Sequence, residues 1–265
     1  MYQAPVSEDT CTTTAPSLRQ RLHSGESLYG AWCLVPSPFL AEVLAVAGFD
    51  WICLDVQHGL IGYDTMLGML QAIGERAPAL VRVPWNTPDE IMRPLDAGAA
   101  GVIVPMVNSA EEADAAVRAC RYAPQGFRSW GPSRASLGKP GYTPASANES
   151  TLCIVMVETV EGVENVEEIV AVNGVDAILI GPYDLALSWS GELERPGRTT
   201  RDRELIDRVI SVCAQAGIPV ATSCGGHDDA LAWRADGVRM VGVSDLGLVG
   251  GVAAETLRAL REDAP

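Results

Sequence analysis

The chain has 265 residues, of which 48% are apolar, and a formal net charge of −15 at neutral pH with a sequence pI near 4.5. An acidic surface repels nucleic acid and anionic membrane, so neither is expected as a partner. Length and apolar content together fit one large core rather than a string of small domains.

Residues 1–17, "MYQAPVSEDTCTTTAPS", carry no basic stretch followed by an apolar run, so they read as a flexible tail and not as a secretion signal. A single barrel domain is expected over 18–265, opening on a helix-like segment around "LRQRLHSG". Eight apolar, strand-like runs follow, at 29–35, 51–56, 79–84, 101–106, 152–158, 176–182, 218–223 and 238–244. Helix-like segments fall between and after them, at about 38–47, 63–76, 87–97, 109–121, 160–171, 202–216, 226–236 and 245–261. Apolar strands alternating with amphipathic helices predict a parallel sheet covered by helices, and eight such units are the count of a (β/α)8 TIM barrel. The rival, an open doubly wound sheet, usually brings a glycine-rich turn after its first strand. Here that turn reads "VPSPF". Two irregular stretches break the rhythm, 121–150 and 190–199, and long ordered loops are often functional.

The seven cysteines include no Cys-x-x-Cys pair, and several lie inside apolar runs. They read as small hydrophobes in a reducing compartment, which predicts a cytoplasmic protein. No apolar run reaches the roughly 20 residues that span a bilayer.

In such a barrel the chemistry sits at the C-terminal ends of the strands. The second strand ends in "LDVQHG", with Asp55, Gln57 and His58. The third carries Arg82, and the fifth ends in Glu158. The sixth runs through Gly181 and Pro182 to Asp184, while Asp96 lies where the third of the eight helix-like segments ends. A charge at the end of an apolar strand needs a partner or a metal, because burying it alone costs several kcal/mol, roughly. For Glu158 and Asp184, on adjacent strands, two readings stand. Either they share a hard divalent cation such as Mg²⁺ or Mn²⁺, or they pair with arginines such as Arg128 and Arg134. Arg82 is either the salt-bridge partner of Asp55 or Glu158, or a planar fork for a carboxylate or enolate. His58 is either a satisfied half-buried histidine or an acid/base group.

At these residues the chain resembles the HpcH/HpaI aldolase family, the metal-dependent (class II) pyruvate aldolases of the phosphoenolpyruvate/pyruvate barrel superfamily. The phrases "AGFDWICLDVQHG", "VRVPWN", "LDAGAAGVIVPMVNSAEEA", "RYAPQGFRSWGPSRA", "VMVETVEGVENVEEI" and "GVDAILIGPYDLALSWS" carry the resemblance, in the family's order, from about residue 28 to 190. It implies that Glu158 and Asp184 ligate a divalent cation (Mg²⁺, Mn²⁺ or Co²⁺). It further implies that His58 and Asp96 form a catalytic pair and that Arg82 steadies a pyruvate enolate. Gly181 and Pro182 would touch the pyruvate carboxylate, with Gln57 beside the substrate. The implied reaction cleaves or forms the C3–C4 bond of a 4-hydroxy-2-oxo acid, giving pyruvate and an aldehyde. The implied assembly is a homo-oligomer, a hexamer or trimer, with the last helix exchanged between subunits. Gln57 stands where many members carry glutamate, and "SWSGELERPG" departs from the family's usual phrase, so substrate preference is expected to differ. The aldehyde partner is expected to be set by 121–150 and by groups from a neighbouring subunit.

The single lysine, Lys139, lies in the long loop, which excludes a strand-end Schiff base. Related enolate chemistry remains as an alternative: oxaloacetate decarboxylation, CoA-ester cleavage, or a barrel that binds a keto acid without turnover.

Overall fold

The computed structural model describes residues 16–193 and 199–262. Eight strands form a closed parallel barrel in sequential order, with β8 pairing back onto β1. They are β1 (Leu28–Cys33), β2 (Trp51–Asp55), β3 (Ala79–Arg82), β4 (Gly101–Val104), β5 (Leu152–Val157), β6 (Ala177–Ile180), β7 (Val220–Cys224) and β8 (Met240–Ser244). The helices before β5 are α1 (Leu18–His23), α2 (Pro38–Val46), α3 (Tyr63–Ile73), α4 (Pro88–Asp96), α5 (Ala110–Cys120) and α6 (Pro144–Ser150). After it come α7 (Val160–Glu164), α8 (Val166–Val170), α9 (Pro182–Ser190), α10 (Thr200–Ala216), α11 (His227–Ala235) and α12 (Asp245–Glu262).

All eight expected strands are present, with ends shifted by at most a few residues. Two short helices lie where no helix was expected. Pro144 opens α6 behind a Thr143 capping box, and Pro182 opens α9 behind Gly181. Each is under ten residues, too short for a clear apolar period, so only the proline at the first turn marks it. The expected helix over 160–171 is broken at Asn165 into α7 and α8.

The strands are buried on both faces, and their alternation sorts two cores. Outward residues such as Val102, Val155 and Ile178 pack beneath the helices. Inward residues, among them Trp32, Trp51, Leu80, Ile103, Ile154 and Leu179, fill the barrel. The bulk of Trp51 fits because its register neighbour is Gly30; a Cβ there would come within 2.2 Å of the indole. Leu18 and Leu22 of α1 join the same inner core and close the end of the barrel where the strands begin. The open end is therefore the other one, where the strands finish. Apart from Asp245, α12 lacks buried residues, and 249–262 are exposed throughout.

Candidate active site at the C-terminal mouth

Inward parity runs Trp51, Cys53, Asp55 along β2, so the strand ends with a carboxylate pointing into the mouth. Asp55 is fully buried and stands in register with Arg82 of β3. Arg82 donates Nε to Asp55 Oδ1 at 3.0 Å and an Nη2 hydrogen to Oδ2. Trp32 Nε1 donates to Oδ2 at 3.0 Å, and the backbone N–H groups of Gln57 and His58 both reach Oδ1 at 3.1 Å. Burial pushes the Asp55 carboxyl up, but Arg82, Trp32 and the His58 N–H outweigh it and hold the group below its usual range. Of the two readings of Arg82, the salt bridge to Asp55 is thus present, and the guanidinium also lies close enough to Glu158 to draw its pKa down.

Glu158 follows β5 and is 1% exposed. Its Oε1 accepts the N–H of Met106 at 2.8 Å. Met106 holds φ at 56°, unusual for a residue with a side chain, and this turn aims its N–H into the mouth. Gly181, the residue before α9, leaves room for Glu158: a Cβ at 181 would sit 2.3 Å from Oε2 and 2.7 Å from the glutamate's own Cβ. Asp184 lies in the first turn of α9, where the helix dipole favours an anion. Burial, and next the charge of Asp184, push the Glu158 pKa to about 7, against the pull of Met106 and Arg82. Two oxygen donors that repel each other, one of them buried, fit a hard divalent cation, which would relieve both burial and repulsion. Among the described residues no third His, Cys, Asp or Glu joins them, which leaves coordination positions for substrate and water.

The alternative partners for these carboxylates lie elsewhere. Arg128 donates to Asp96 Oδ1 at 2.7 Å, and Arg134 donates to the Ala97 and Leu70 carbonyls. All belong to the opposite end of the barrel, because α4 runs back from the mouth and ends at Asp96, just before β4 begins. The whole of 121–150 connects α5 to β5 and lies at that end too, with a cavity of about 750 Å³ lined by Arg128, Arg134 and Tyr142. This loop therefore does not line the mouth of its own barrel. His58 is exposed at the mouth, with the length of the barrel between it and Asp96. Gln57 lies beside it, and its Oε1 is buried without a hydrogen-bond partner among the described residues. Of the residues picked from sequence, His58, Gln57, Arg82, Glu158, Gly181, Pro182 and Asp184 share the mouth, and Asp96 does not.

The sequence offers Asp55 only as one of two candidate salt-bridge partners for Arg82 and does not single out Met106. Asp55 was visible as a polar strand end, and its inward parity was the signal for its role. The left-handed turn at Met106 has no sequence signature.

The HpcH/HpaI aldolase/citrate lyase family model matches residues 28–250. A hydroxypyruvate/pyruvate aldolase of Rhizorhabdus wittichii is 35% identical over 245 residues, covering 90% of this chain and 96% of that protein. A 4-hydroxy-2-oxo-heptane-1,7-dioate aldolase of Klebsiella pneumoniae is 36% identical, covering 77% and 80%. The solved structure of an HpcH/HpaI aldolase/citrate lyase family protein from Burkholderia cenocepacia superimposes with a TM-score of 0.86 at 33% identity, covering 92% of this chain and 98% of that one. With the barrel, the ordered motifs and the mouth carboxylates in agreement, the chain belongs to the HpcH/HpaI aldolase/citrate lyase family.

Proposed function

We propose that the chain is a carbon–carbon lyase of the pyruvate aldolase type, dependent on a divalent cation held by Glu158 and Asp184. The observation that carries this is the pair of carboxylates brought together at the mouth, where burial and the charge of Asp184 raise Glu158, with Arg82 beside them. A bound Mg²⁺, Mn²⁺ or Co²⁺ supplies Lewis-acid polarisation of a 2-keto acid. Arg82 aims its remaining N–H groups at the oxygen that gains charge as the enolate forms. Gly181 and Pro182 open α9, whose N-terminal dipole favours the keto acid's carboxylate. Gln57 offers its unpartnered Oε1 as acceptor for a substrate hydroxyl. In the cleavage direction His58 takes the proton of the C4 hydroxyl; the C3–C4 bond breaks, and its electrons enter the enolate of pyruvate as the aldehyde leaves.

Asp96 can support His58 only from a neighbouring subunit, since the two lie at opposite ends of one barrel. The exposed apolar residues of α12 supply a surface for such an assembly, a hexamer or trimer, with α12 laid on the adjacent chain. The aldehyde pocket is then completed by that neighbour, including its 121–150 loop.

The test is exchange of the pyruvate C3 protons with deuterated water, followed by NMR, and cleavage of a panel of 4-hydroxy-2-oxo acids. Both should vanish on thorough metal removal and return with Mg²⁺, Mn²⁺ or Co²⁺. Turnover that survives metal removal overturns the metal role.

A further inference from the structure

We infer that Asp55, braced by Trp32, is the positioning residue that fixes both Arg82 and the His58 turn for the same reaction. The inference rests on the proposed reading of Arg82 as the group that steadies the enolate.

The argument begins with a count of donors. An ionised carboxylate offers about four lone-pair sites on its two oxygens. Asp55 already receives five N–H groups: two from Arg82, one from Trp32 and the backbone pair of Gln57 and His58. It is also fully buried. Nothing is left to bind substrate, a cation or a transferred proton, so its part in the chemistry must run through its partners.

The next step concerns the arginine. Asp55 engages the guanidinium side-on through Nε and Nη2, which uses two of five N–H hydrogens. The other three, two on Nη1 and one on Nη2, form the edge turned away from Asp55. The Trp32 ring lies 5.1 Å from the guanidinium carbon and closes a further side. Trp32 is itself held edge-on against Trp51 in the barrel core. The arginine is thus clamped by a carboxylate and an indole that are both rooted in the core, and its free edge has one direction.

The same oxygen that takes Arg82 Nε also takes the N–H groups two and three residues further along the chain. That is the Asx-type turn by which aspartate side chains fix the backbone after them. It holds the rim segment that carries Gln57 and His58. One buried carboxylate therefore couples the positive arm of the site to its acid/base group, and a displacement of about 1 Å at either is enough to cost roughly 10²-fold in rate.

The experiment uses the full-length, metal-loaded protein and compares wild type, Asp55→Asn, Arg82→Ala and the double variant. Three readouts are taken: pyruvate C3 exchange, Mn²⁺ affinity and rescue by added guanidinium ion. Asp55→Asn should lower exchange by about 10²-fold while leaving Mn²⁺ affinity within about twofold. The double variant should be no slower than Arg82→Ala alone, since the two residues act as one unit. Guanidinium should restore exchange to Arg82→Ala, where Asp55 waits to hold it, and should fail in the double variant. A merely structural Asp55 would give neither the non-additivity nor the selective rescue. Exchange at the wild-type rate in Asp55→Asn, multiplied losses in the double variant, or equal rescue in both backgrounds overturns the inference. Should Asp55→Asn not fold, Trp32→Phe keeps a ring against Arg82 but removes the N–H to Asp55. A roughly tenfold loss of exchange is expected there, and an unchanged rate overturns the inference. A wild-type protein that exchanges no C3 proton with metal present defeats the aldolase reading itself, and this inference with it.

Discussion

His58 and Asp96 stand at opposite ends of the barrel: His58 follows β2 at the mouth, and Asp96 ends α4 beside the start of β4, bonded to Arg128. Within one chain they cannot touch. If they act as a pair, the pair spans two subunits, and variants lacking one partner each should complement. His58→Ala and Asp96→Ala should each lose cleavage. Mixed, dissociated and reassembled at equal concentration, they should regain activity at roughly a quarter of the sites, the fraction that draws an intact residue from each chain. Mixtures as inactive as their parents would leave Asp96 as a structural partner of Arg128 alone.

Gly181 is there to let Glu158 lie against it. A methyl group at 181 would collide with Glu158 Oε2 at 2.3 Å and with its Cβ at 2.7 Å, so the carboxylate must move out of the mouth. Gly181→Ala should weaken Mn²⁺ binding by about tenfold or more, the loss typical when the support of a ligand is disturbed. Gly141→Ala, whose added methyl meets nothing within 4 Å, should leave it unchanged. Titration calorimetry on both variants decides the matter; equal affinities would detach Gly181 from the cation site.

The eight strands were legible because a parallel barrel buries both faces of each, and the resulting apolar runs stand out between polar helices. The mouth was legible for the same reason, since Asp55, Arg82 and Glu158 interrupt otherwise apolar runs. What residue type alone does not show is direction across the barrel. Asp96, Arg128 and Arg134 are as charged as Glu158, and only the polarity of the βα unit places them at the far end. A residue at the end of a helix and one at the end of a strand lie on opposite faces, a rule that, applied strictly, would have separated Asp96 from His58 before any coordinates. Met106 lay beyond reach, because its φ of 56° is imposed by neighbours rather than by its own preference.

Glu158 should give the site a pH dependence. Burial and Asp184 raise its pKa from 4.5 to about 7 in the folded protein. The folded state therefore holds that proton more tightly than the unfolded state. Metal-free stability from this group is fully present below about pH 4.5 and is lost as pH rises through 7, by roughly 3 kcal/mol in all. A cation needs the ionised form, so its affinity should move the opposite way and be about tenfold weaker at pH 6 than at pH 8. Thermal melts with and without Mn²⁺ across this range should show the stabilisation by metal growing with pH. In Glu158→Gln both trends should disappear, and their persistence would assign them to another group.

Among the described residues, none covers the apolar side chains at the end of α12. Val249, Val252, Leu257 and Leu260 are 58%, 63%, 48% and 67% exposed, and their spacing of three, five and three residues keeps them near one face of the helix. A stripe of this kind on a helix that stands off the barrel gains little from folding and much from a neighbour. If α12 joins neighbouring chains as proposed, replacing Val252 and Leu257 together with aspartate should leave monomers, read by light scattering. The melting temperature of the isolated barrel should hardly change, because neither side chain touches the core. If Asp96 and the 121–150 loop reach the mouth from the adjacent subunit, the same variant should lose aldol cleavage even though every mouth residue of its own chain is intact. A wild-type chain that is monomeric at micromolar concentration and still cleaves its substrate would remove α12 from the assembly and Asp96 from the reaction together.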